Sequence, residues 1–130
     1  MSQYLANELL DHAFNNSAYT APSGLYFGFA DTDLTSTDTG STVSEPSGGA
    51  YARTQCSSWT DNDNYYTNNA DVTFPTPTDS WGTLTSAFIA DASSAGNILF
   101  FDNTITEETV ASGDIVKILS GAFNAGFTTL

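Results

Sequence analysis

Apolar residues recur with a helical period in one part of this chain, at its start. In SQYLANELLDHAF, Ala6, Leu9, Leu10, Ala13 and Phe14 fall at i, i+3, i+4, i+7 and i+8, one face of a helix. Ser2 supplies an N-cap hydroxyl and Asn15-Asn16 a stop, so a helix is expected within residues 2–16. Asn7, Glu8 and Asp11 mark its wet face. A single short amphipathic helix has to lie on the apolar surface of something else.

From Leu25 onward the period changes to two. Leu25, Phe27 and Phe29 alternate with Tyr26, Gly28 and Ala30, as in a strand. Residues 31–49 then hold mostly Thr, Ser, Asp and Gly, which predicts a long loop of the kind that is functional or poorly ordered. Strand signals return at 51–59, 71–74, 82–90, 98–101, 104–110, 115–119 and 123–127, with a polar tract at 61–69. Pro75 and Pro77 bar the third of these eight from a central position. Ser112-Gly113-Asp114 is a tight turn. About eight short strands with turns between them predict an all-β fold, a jelly-roll-like antiparallel sandwich of two sheets carrying one N-terminal helix. No helical pattern alternates with the strands, which argues against a parallel sheet.

Length and charge narrow the picture. The 130 residues (13.8 kDa) are read as a single domain, 1–130, with the sandwich over residues 24–130. A chain of this size hides about two-thirds of its unfolded surface, enough for a core without disulfides. Fifteen acids face only Arg53 and Lys117, giving a net charge of −13. That sign speaks against nucleic acid and against anionic membranes, and for a basic protein partner. No apolar run approaches a membrane span. Met1 leads straight into the acid-bearing helix, with neither a basic nor an apolar leader, so synthesis in a cytoplasm is expected.

Reactive groups are scarce. Cys56 is alone, so neither an internal disulfide nor a cysteine zinc site can form. The one histidine, His12, sits in the helix, where a helix-end role outweighs a catalytic one. Glu107 and Glu108 are adjacent, and on a strand they point to opposite faces. Asp61-Asn62-Asp63-Asn64-Tyr65 begins like a calcium loop, but Tyr66 stands at its sixth position and Val72 at its twelfth, where that loop needs Gly and Glu. Asp31 and Asp33 are weaker still. Neither a cofactor nor a metal is expected. Tyr51, Trp59, Tyr65, Tyr66 and Trp81 suit a core, an interface or a sugar groove.

Several blocks together resemble a family of small virion proteins encoded by tailed bacteriophages. They are YLANELLDHAF with Tyr19-Thr20-Ala21-Pro22 and LYFGFADTD, then Gly48-Gly49-Ala50-Tyr51-Ala52-Arg53. VTFPTPTDSWGTLTSAFIADA with Gly96-Asn97-Ile98-Leu99-Phe100 follows, and the Ser112-Gly113-Asp114 turn completes the set. Excess acid, few lysines and Ser86 in place of a histidine depart from that pattern. The resemblance implies a non-enzymatic component of the virion. The expectation it supports first is a capsid decoration (cement) protein on the outside of the head, bound to the major capsid protein and self-associating as a dimer or trimer. A tail-associated module that recognises host glycan is the alternative. Leu5, Leu9, Tyr51, Arg53, Tyr65 and Tyr66 are the candidate interface residues.

Overall fold

A computed structural model describes residues 1–127. Helix α1 (Gln3–Phe14) is followed by β1 (Leu25–Ala30), β2 (Thr54–Cys56), β3 (Trp59–Asp61), β4 (Tyr65–Asn68) and β5 (Val72–Thr73). Then come β6 (Gly82–Leu84), β7 (Ser86–Ala90), β8 (Ile98–Asp102), β9 (Glu108–Val110), β10 (Lys117–Ile118) and β11 (Asn124–Gly126). The fold is the expected all-β, antiparallel, sandwich-like class with one short helix.

The helix begins where the sequence places it. Ser2 Oγ accepts the Leu5 N–H at 3.2 Å, and Asn15 N–H closes the last turn on Asp11 O at 3.0 Å. Its buried face differs from the expected one. Leu5 is buried and Leu9 half-buried, while Leu10 and Phe14 are 55% and 82% exposed. Ser2 N–H on Leu99 O and Gln3 N–H on Ser36 O, both at 2.8 Å, tie its N-terminus to the fold, and Tyr4 and Leu9 pack against the main core. Its last four residues, Asp11 to Phe14, are all exposed.

One sheet is continuous, in the order β2-β1-β7-β8, all antiparallel. Across from it lie three smaller pieces, β11-β4-β3, β10-β5 and β6-β9. Phe27, Phe29, Ile89 and Leu99 of the large sheet form the main core with Val72, Leu84 and Val110 of the small ones and with Phe74 and Trp81 beside them, closed by Leu5. Alternation along β7 sends Phe88 and Ala90 to the opposite face. There they join Ala30, Leu34 and Ile98, with Val43 and Phe101 half-buried beside them. Leu34 and Val43 come from the 31–49 loop, which is thus the cover for the second face of the sheet. Gly28 faces the Phe88 ring, where a Cβ would have no room.

Three strand expectations are revised. The 82–90 signal is two strands: β6 pairs with β9, and β7 pairs with β1 and β8. The bend falls at Thr85, whose N–H donates to Ala30 O at 2.9 Å. The 51–59 signal splits likewise, into β2 and the start of β3. The polar tract 61–69 hides β4, the central strand of its sheet.

Candidate interaction surface

Four of the six candidate interface residues are used inside the molecule. Leu5 is 6% exposed and Arg53 7%, so neither is available to a partner; each has an internal role that sequence reasoning did not assign. Leu9 packs half-buried against the main core. Tyr51 completes β1: strand β2 ends opposite Phe27, and the Tyr51 hydroxyl takes over at Phe29, accepting its N–H at 2.9 Å. The same hydroxyl lies 2.8 Å from Glu45 Oε1 and 3.1 Å from Phe29 O, either of which can take its proton. Burial pushes the Tyr51 phenol far above the ordinary tyrosine range, and the Glu45 carboxylate adds to the rise.

Arg53 is the hub beneath the covering loop. Its Nε donates to Glu45 Oε1 at 3.0 Å and its Nη2 to Glu45 Oε2 at 2.7 Å, a bidentate pair. Nη2 also reaches Gly40 O, and Nη1 reaches Ala92 O and Ala95 O. The guanidinium sits 5.1 Å from the centre of the Phe88 ring. Two loops that share no strand pairing, 31–49 and 91–97, are thus joined by this side chain, beside one backbone bond from Gly40 N–H to Gly96 O at 3.0 Å.

Tyr65 and Tyr66, at 40% and 50% exposure, are the candidates that remain open. They lie on β4 just after a turn built by Asp and Asn. Asp61 Oδ1 accepts the Asp63 N–H at 3.0 Å, and Asp63 takes a left-handed φ of 67°. Asp61 Oδ2 accepts the Tyr66 hydroxyl at 3.2 Å, and that bond holds the Tyr66 phenol above its usual range. Both oxygens of Asp61 thus serve the hairpin. Among the described residues no three His, Cys, Asp or Glu side chains group closely enough to hold a metal.

Under this hairpin runs an apolar groove of about 550 Å³, between β4–β11 and the edge of the large sheet. Leu25, Trp59, Phe100 and Phe127 line it together with the two tyrosines, and Asp63 stands at its lip. A larger groove of about 890 Å³ lies between the large sheet and the 105–123 segment, with Leu84, Val110 and Ile118 on its walls and Lys117 at its edge. The cations are both engaged: Arg53 with Glu45, and Lys117 with Asp71 at 3.4 Å on the surface. Of fifteen acids, two pair with these two bases, which leaves thirteen without a cation partner among the described residues.

The remaining reactive groups have local duties. In its Nδ1–H tautomer His12 donates to Ser17 O at 3.0 Å and holds the chain reversal after the helix. Cys56 is buried in the core, where desolvation pushes its thiol up. No described helix is long and apolar enough to cross a membrane. A surface of this kind offers shape, apolar anchorage and negative charge, the means of holding another molecule.

A search of curated proteins finds no match to the chain. A comparison with family models does: residues 1–126 match the family described as podophage GP4 fiber I protein gp80, so the chain belongs to that family of phage virion proteins.

Proposed function

We propose that this chain is a non-enzymatic structural subunit of a phage virion fibre, held in the particle by protein–protein contact. The observation that carries the proposal is the family match over nearly the whole chain, to a family described by its fibre role. The architecture supports it. The polar side chains that could have served chemistry (His12, Asp61, Glu45, Arg53) are engaged in holding turns and loops. Self-association as a dimer or trimer belongs to this reading, since virion appendages follow closed symmetry. Light scattering on the purified chain tests that part.

Capsid decoration is the second reading, and the thirteen carboxylates without a cation partner among the described residues favour it to the extent that a basic shell exterior would attract them. Copy number separates the two. In purified virions, quantitative mass spectrometry against the major capsid protein should give a few dozen copies or fewer for a fibre subunit. Hundreds would move the chain to the shell and overturn the fibre assignment.

A further inference from the structure

We propose that the groove under the β3–β4 hairpin is the docking site for a basic segment of a different virion protein. That segment seats an apolar side chain among Tyr65, Tyr66 and Phe100 and sets lysine or arginine against Asp61 and Asp63. The inference rests on the virion reading above and names the partner chemistry of that assembly.

Shape comes first. The groove is concave and apolar, and its walls include side chains that a water-soluble protein ordinarily hides: Tyr66 is 50% exposed, Phe127 57% and Tyr65 40%. Tyrosines at a rim give large, stiff contact area with a polar tip, the composition of interface centres. Tyr66 is further fixed by its bond to Asp61, so little side-chain freedom is left to lose on binding.

Charge then selects the occupant. The ionisable side chain on the groove lining other than the tyrosines is Asp63, with Asp61 beside it, and neither has a cation partner among the described residues. A second copy of this chain would bring a further −13, while its own Arg53 is buried and its Lys117 already faces Asp71. Self-docking here sets carboxylate against carboxylate. A neutral glycan would leave both carboxylates uncompensated. A basic segment with one apolar anchor uses the cavity and the charge together.

The test uses intact virions carrying the full chain with Tyr66 replaced by p-benzoylphenylalanine, and a control set with Thr37, exposed on the covering loop, replaced instead. After irradiation, mass spectrometry should find position 66 joined to another virion protein, within a segment of net positive charge, and position 37 not joined there. Cross-links to a second copy of this chain, to a neutral or acidic segment, or to nothing although the chain is in the particle would overturn the inference and leave the virion reading standing. Absence of the chain from the particles would remove both. A synthetic peptide of the cross-linked segment then serves as probe for the purified chain. Tyr66→Ala should weaken it on the order of tenfold. Asp63→Asn, which leaves both Asp61 oxygens in the hairpin, should weaken it at low salt and match the parent at about 1 M salt, where charges are screened within a few ångströms. Equal affinity at low salt would overturn the charge assignment.

Discussion

Arg53 and Glu45 form a bidentate ion pair, Nη2 to Oε2 at 2.7 Å and Nε to Oε1 at 3.0 Å, with the arginine side chain 1% exposed. Around it the same guanidinium holds three backbone carbonyls, those of Gly40, Ala92 and Ala95. Removing the cation alone would leave a carboxylate and these carbonyls without their donor. Arg53→Met should therefore destabilise the fold by about 3–5 kcal/mol, the range for breaking a buried pair on one side. Urea unfolding measures it, and a loss near zero would show that the loops hold without their hub.

Trp81 is 4% exposed, donates its indole N–H to Gly49 O at 2.7 Å and meets the Tyr51 ring edge-on at 5.1 Å. Trp81→Ala should cost about 3–5 kcal/mol, as large aromatic deletions in cores do. Trp81→Phe should cost less, because it keeps most of the volume and loses the hydrogen bond. Thermal unfolding of the two variants side by side checks the order.

Alkaline pH should loosen the fold through Tyr51. Its phenol is held protonated in the folded chain by burial and by Glu45, whereas an unfolded tyrosine releases its proton near pH ~10. Above that pH the folded state binds more protons than the unfolded one, so stability falls as pH rises. Its contribution is intact below about pH 10 and declines beyond it. Tyr51→Phe should flatten this slope in urea unfolding at a series of pH values, while lowering stability at neutral pH because Phe29 N–H loses its acceptor. An unchanged slope would mean that another group governs alkaline unfolding.

The covering loop has its own weak point at Gly40. A Cβ there would overlap the Ala95 carbonyl, which is backbone and cannot swing aside. Gly40→Ala should cost about 1–3 kcal/mol and open residues 31–49 to limited proteolysis. Gly48→Ala meets open space and carries only the strain of its left-handed φ of 87°, about 1–2 kcal/mol, without exposing that loop. Equal cleavage patterns in the two would separate Gly40 from loop closure.

The elements with strong local signals were readable before the structure: the helix with its Ser2 cap, β1 from the Leu25-Phe27-Phe29 alternation, and β8 in NILFF. The bend at Thr85 was not, because residues 83–90 hold neither Gly nor Pro and only the change of pairing partner marks two strands. β4 was hidden because Asp and Asn on both sides outweigh the β propensity of Tyr65-Tyr66-Thr67. Of the surface, Tyr65 and Tyr66 could be named from sequence, but their neighbours could not. Phe100 on β8 and Phe127 just past β11 reach the groove from far along the chain. The internal role of Arg53 could not be read, because sequence does not show that Glu45 and three backbone carbonyls surround it.

A cryo-EM map of the intact particle tests the fibre assignment most directly. It should show density for this small β-sandwich and its N-terminal helix at the fibre attachment or along the fibre, with the β3–β4 hairpin against a different chain. Density repeated over the capsid lattice and absent from the fibres would contradict it.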